Sequence, residues 1–265
     1  MELRRRALEL LQIADPTVKA DATRHAFDAL DPHMRLDVAA VFEPEPGSVP
    51  GRPAAPRLVP PSQVPQRPMH TLAGRAALLH AVAHIEFNAI NLALDAVWRF
   101  PALPPDFYAD WVRVAAEEAL HFTLVTEHLR SLNHAYGDFD AHDGLWTMAE
   151  RTRDDPLARM ALVPRTLEAR GLDVTPGMRA RFVAAGDTRA AEILDVILRD
   201  EIGHVAIGNR WYRWLCERAQ DDPLTRHEQL AHERRAPRPK GPFNRAARAA
   251  AGFTQEELDR LDSKA

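Results

Sequence analysis

A chain of 265 residues with 46% apolar side chains is long enough to bury one large core. Its net charge of −4 gives no global attraction to nucleic acid or to an anionic membrane. The single cysteine, Cys216, excludes an intrachain disulfide, which suits a reducing compartment.

The N-terminus opens with basic residues, but Glu9, Gln12 and Asp15 interrupt it before a secretory apolar stretch can form. The spacing of Leu3, Leu8, Leu11 and Ile13 predicts a short amphipathic helix, and residues 1–43 read as one or two such helices. No apolar run of about eighteen residues occurs, so the expectation is a cytoplasmic protein with no membrane span. Pro44, Pro46, Pro50, Pro53, Pro56, Pro60, Pro61, Pro65 and Pro68 then make an extended strap, because proline lacks a donor and fixes φ. Leu58, Val59 and Val64 give that strap apolar side chains with which to wrap the core.

A long helical pattern runs over about 71–100 and stops at the Pro101–Pro105 turn. A second covers about 106–133, with Trp111, Val114, Glu118, His121, Phe122 and Val125 on one face. A short helix is expected around Trp146. A third long stretch starts near Asp155-Pro156, breaks at Gly171 and resumes at Thr175-Pro176, a cap followed by proline at the first helical position. Gly186-Asp187 marks a turn, and the fourth stretch covers about 188–218. The division expected is 1–69 for the N-terminal helices and strap, 70–220 for a helical bundle, and 221–265 for a charged extension.

Two Glu-x-x-His sequences carry the chemistry, Glu118-Ala-Leu-His121 and Glu201-Ile-Gly-His204. Residues three apart leave one helix face and can reach one ion. With 12 histidines, about one such pair arises by chance, so context is what counts. Both pairs lie on apolar stripes, where a charge is costly, and each follows another acid, Glu117 or Asp200. Glu86 interrupts an apolar stripe 32 residues before Glu118, and Glu168 stands 33 residues before Glu201. The midpoint of each interval falls in a turn, so each lone glutamate should lie level with its own Glu-x-x-His pair. Four carboxylates and two imidazoles then suffice for two divalent ions, roughly 3.5–4 Å apart.

That order of donors resembles the ferritin-like superfamily. His84-Ile-Glu86, Glu117-Glu118-Ala-Leu-His121, the segment from Pro164 to Pro176 and Asp200-Glu201-Ile-Gly-His204 resemble more closely an uncharacterised bacterial ferritin-like family. Its nearest characterised relatives include a non-haem di-iron tRNA hydroxylase, and the likeness covers about residues 40–255. The resemblance implies an all-α, ferritin-like four-helix bundle with Glu86, Glu118, His121, Glu168, Glu201 and His204 as metal ligands. Glu117 and Asp200 match acids that orient a ligand histidine from behind. The implied cofactor is two iron ions, with manganese or a mixed pair as alternatives. The implied activity is O2-dependent oxidation, of hydroxylase type, of a substrate the sequence does not name. A ferroxidase or plain metal-binding protein is the other reading, and neither the electron donor nor the oligomeric state is specified.

Other features read as structural. His80 and His84 point away from Glu86 and are expected at the surface or satisfied by neighbours. Glu127 and Glu192 read as solvated, and the five tryptophans as core. The run from Arg234 to Arg248 contains no acid; it could grip RNA phosphate, but a docking strap or solvated tail is the plainer reading.

Overall fold

The protein, seen in a computed structural model, is described over residues 2–27 and 35–264. Part of the N-terminal expectation falls on 28–34, which lie outside the described residues. Among the described residues the fold is all-helical, with two isolated β-bridges and no strand. The chain forms two compact units, 1–144 and 145–265.

The first unit is built on two long helices, α3 (Leu72–Arg99) and α4 (Pro105–Ser131), preceded by α1 (Leu3–Leu11) and α2 (Pro16–Phe27). Thr71 caps α3 by accepting from the Gly74 N–H at 3.0 Å, and Pro105 opens α4 at its first turn. The 28 residues of α3 are apolar enough to cross a membrane by length and composition, with mean hydropathy 1.3, yet 78% of that window is buried in the protein. Arg4, from α1, is 1% exposed and closes the far end of α3 by donating to the carbonyls of Val97 and Trp98.

The proline-rich segment is mostly extended, with turns at 46–47 and 69–70 and a 3-10 turn at Pro61–Gln63, and it lies against its unit. The reason differs from the expected one, since Leu58 is 39% exposed. Backbone bonds and polar anchors hold the strap instead. Gly51 N–H donates to Leu11 at 2.8 Å, Trp98 Nε1–H reaches the Phe42 carbonyl at 2.8 Å, and Arg52 pairs with Asp143 at 2.7 Å. A Cβ on Gly51 would lie 2.2 Å from the Gln12 carbonyl oxygen, so this crossing tolerates only glycine.

The second unit contains α5 (Gly144–Arg151), whose first residue closes the first unit, then α6 (Pro156–Leu162), a π-helical turn (Val163–Glu168) and α7 (Ala169–Ala184). These are followed by α8 (Thr188–Ala219), α9 (Pro223–Glu233), α10 (Arg245–Ala250) and α11 (Gln255–Lys264). The Asp155 cap and Pro156 start, and the turn at Gly186-Asp187, stand where the sequence put them.

One expectation is corrected. The third stretch does not break at Gly171 and restart at Thr175-Pro176, because α7 runs through both with Pro176 in its interior. A proline there cannot donate to the carbonyl four residues back, Leu172. Asn244 Nδ2 donates to that carbonyl at 3.2 Å, so the helix passes the proline without leaving the group bare. The real irregularity lies earlier, at the π turn that ends on Glu168.

The C-terminal extension is a docked strap. Ala247, Ala251, Phe253 and Leu258 form one buried cluster with Ala169, Leu172 and Val205. Three arginines of the basic run meet acids of their own unit. Arg234 pairs with Asp154 at 3.0 Å, Arg248 with Asp173 at 2.7 Å, and Arg245 with Asp259 at 2.8 Å.

Candidate metal centre

Glu86 stands midway along α3, and Glu118 and His121 lie one turn apart on α4. They are 2%, 1% and 0% exposed, and one ligating atom from each falls within 4.8 Å of the other two. His121 Nδ1 lies 3.2 Å from Glu118 Oε2 and 3.3 Å from Glu86 Oε2, so the imidazole edge faces both carboxylates. This convergence is what the matched hairpin spacing predicted for the first half of the site.

Burial pushes the Glu86 carboxyl up to about 7. The hydrogen bond to His121 works against that rise, and the neighbouring Glu118 adds to it. Two carboxylates this close cannot both ionise without a compensating charge, so the pair retains a proton near neutral pH. A divalent ion is the group that lets both ionise together, since binding releases protons in exchange for the metal. The donors are carboxylate oxygen and imidazole nitrogen, which suit iron, manganese or zinc better than magnesium or calcium. The residues therefore fit a metal ion.

An aromatic cluster sits on the same two helices. Phe87 and Phe122 follow Glu86 and His121 in sequence, pack with ring centroids 5.8 Å apart, and both touch the Tyr136 ring at 5.7 and 5.3 Å. Tyr136 and the two other histidines of α3 were not foreseen as buried participants. His84 Nδ1 meets the Tyr136 hydroxyl at 2.9 Å, and His80 Nε2 accepts the Gly137 N–H at 2.9 Å. His84 is satisfied at both ring nitrogens, as one branch of the expectation had it, whereas the Nδ1 of His80 is buried with no hydrogen-bond partner, and neither ring is at the surface, at 0% and 6% exposed for His80 and His84. Burial pulls each down to about 4, so both are neutral at physiological pH. Their i, i+4 spacing on an apolar helix was the available signal.

In the second unit Glu201 and His204 are 7% and 1% exposed on α8. Glu168 is partly buried at the end of the π turn. Asp200 pairs with Arg199 at 2.8 Å, and Glu117 in the first unit lies 3.9 Å from Arg113. Glu127 and Glu192 are exposed, as expected for solvated acids.

Fold and site together define an all-helical protein with a buried carboxylate–histidine group able to hold metal. The chain matches the family described as "Protein of unknown function (DUF455)" over residues 12–259, and it belongs to that family. It is 48% identical over 259 residues to a protein of Haemophilus influenzae named "Uncharacterized protein", across 94% of this chain and 90% of that one. No solved structure matches the chain.

Proposed function

We propose that this is a ferritin-like di-metal carboxylate protein that uses O2 to oxidise, by hydroxylation, an organic substrate in the cytoplasm. The observation that carries the reading is the triad of Glu86, Glu118 and His121, three charge-bearing donors gathered at one buried point. In this reading a first ion takes that triad. A second takes Glu201 and His204, the buried Glu-x-x-His pair of α8. Glu168 would supply the remaining carboxylate of the second unit. The ferritin-like assignment rests on this donor order and on the pair of long helices that carries its first half.

Two iron ions in such a donor set supply the electrons that reduce O2. The chain's own groups do the rest. Glu86 yields its proton near neutral pH as an ion enters, because its carboxyl titrates at about 7. Phe87 and Phe122, next in sequence to Glu86 and His121, pack with Tyr136 into an apolar cluster on the same helices. Glu117 and Asp200 hold the ligand histidines in one tautomer from behind, accepting from the nitrogen that faces away from metal. The reading does not call on RNA, and three arginines of the basic run, Arg234, Arg245 and Arg248, are engaged within their unit.

The test is metal analysis of protein purified from its own host, followed by O2 uptake of the reduced protein against candidate substrates. Two iron ions per chain and uptake accelerated by a substrate support the reading. Slow uptake that ends in loose ferric mineral, indifferent to substrate, identifies an iron-oxidising protein instead. Absence of bound transition metal in host-purified protein removes the reading altogether.

A further inference from the structure

The π turn at Val163–Glu168 needs a physical cause. Here the Ala169 N–H reaches the Pro164 carbonyl, five residues back, in place of the usual four. One residue is thereby added to the turn, which rotates the next stretch of helix by about 100° relative to a regular one. Such turns are rare and persist where surrounding structure over-determines them.

Three contacts do so here. Pro164 sits against Gly208 of α8, where an added Cβ would come within 2.5 Å of the proline ring. The Thr166 hydroxyl donates to the Ala161 carbonyl, again five residues back, at 2.7 Å. The third is Arg165, a guanidinium buried to 5% exposure. One of its amino groups donates to Asn209 Oδ1 on α8 and the other to Glu257 Oε1 on α11 at 2.5 Å. Its flat face lies between the rings of Tyr212 and Phe253, at 5.1 and 4.8 Å. Its two partners are themselves fixed. Asn209 Nδ2 donates to the Ala251 carbonyl at 2.7 Å, and Glu257 Oε2 accepts from the Thr254 N–H at 2.7 Å and from Arg213 at 2.9 Å.

We propose that the Arg165–Glu257 pair, seated with Asn209, is the positioning device that holds the π register and thereby aims Glu168. Relaxing the turn to a regular helix would rotate Arg165 away and leave the buried Glu257 carboxylate with the partly exposed Arg213 as its one charged partner among the described residues. The strained register and the ion pair therefore persist together. Glu168 comes three residues after Arg165, so the orientation set at the arginine passes to it through a single turn. On this account the C-terminal extension helps build the site. Its Glu257 touches no metal donor directly and acts through Arg165.

The inference rests on the two-ion reading, and the experiment separates the two. Manganese(II) is titrated into the full chain and the loss of free-ion signal followed by electron paramagnetic resonance, with thermal melting measured alongside. Wild type should take two ions. Glu257→Ala should keep one site and weaken the other by about 10–100-fold, the range seen when a group supporting a metal ligand is lost. Glu257→Gln, which still offers Arg165 an acceptor, should recover most of that loss. Arg165→Lys keeps the charge but lacks the two-pronged fork, and it should weaken the same site even if Glu257→Ala fails to fold. Asp173→Asn is the control, because it breaks the other buried ion pair that docks the extension, to Arg248, without touching Arg165. It should lower the melting temperature and leave both sites intact. The proposal is overturned if the Glu257 and Arg165 variants melt earlier but bind two ions as tightly as wild type, or if Asp173→Asn weakens one site equally. A wild type that takes up no manganese sinks the two-ion reading itself, whatever the variants do.

Discussion

The two halves of the chain present the same donor pattern, a lone glutamate with Glu-x-x-His about 33 residues later, on different scaffolds. In the first unit Glu86 sits on an uninterrupted 28-residue α-helix. Its position is set by helical phase alone, and α3 has no proline to disturb that phase. In the second unit Glu168 closes a π turn between α6 and α7, with Pro164 inside the turn and Pro176 further on. There, contacts from elsewhere in the unit must support the backbone: Gly208 on α8, Asn244 ahead of α10, and Glu257 on α11. An equivalent glutamate can thus be set by periodicity or by tertiary restraint, and the second way spreads its requirements over residues distant in sequence.

The sharpest test of the first half is acid. His80 is neutral and buried, with its titration pulled down to about 4 from an unfolded value of 6.5. Its contribution to stability is complete above pH 6.5 and is lost as pH falls toward 4, since the unfolded chain takes up the proton first. His80→Gln keeps an acceptor for the Gly137 N–H and removes the titration. Between pH 7 and pH 4, wild type should lose on the order of 3 kcal/mol more than the variant by urea unfolding. Equal losses would show that His80 is already solvated.

Next in size is Glu86→Gln, where stability and binding should part. Glu86 carries a raised carboxyl, so the folded chain loses stability as pH rises from 4.5 to about 7, and the neutral amide relieves that cost. We expect a gain of about 2 kcal/mol at pH 8 without added metal, together with a fall in metal affinity of about 100-fold. A residue serving structure alone would lose stability on replacement and leave metal titrations unchanged.

Smaller effects are expected in the second half. Gly208→Ala forces its Cβ onto Pro164 and should cost about 2 kcal/mol, whereas Gly203→Ala on the same helix meets nothing within 4 Å and should be neutral or slightly stabilising. Similar unfolding midpoints for the two would contradict the tight seat of the π turn. Asn244→Ala removes the donor to the Leu172 carbonyl and should cost about 1 kcal/mol, seen as faster amide hydrogen exchange centred on α7. Exchange in α3, which has no interior proline, should not change.

The donors of the first half were legible in the sequence because an acid on an apolar helical stripe is costly and therefore conspicuous. Glu86, Glu118 and His121 meet where the turn at Pro101–Pro105 and the even spacing placed them. The helix starts at Thr71, Asp155-Pro156 and Asp187 were equally plain, since caps and first-turn prolines act on backbone groups a few residues away. Arg165 was different. It stands beside Pro164, yet its partners Asn209 and Glu257 lie 44 and 92 residues further on.

What the sequence by itself determined is the set of local decisions: helical periods, caps, the extended prolines, and that Glu86, Glu118 and His121 cannot face water. Tertiary structure alone decided whether α7 breaks at Pro176, because the answer depends on a donor to the Leu172 carbonyl that comes from Asn244, 72 residues away. It also decided that the basic C-terminal run folds onto its own unit, and that the proline strap is held by Gly51, Trp98 and Arg52 more than by its apolar side chains. The physical reason is common to all three. A proline, an arginine or a carbonyl states its own requirement in the sequence, but the partner that satisfies it is specified only when the chain has folded.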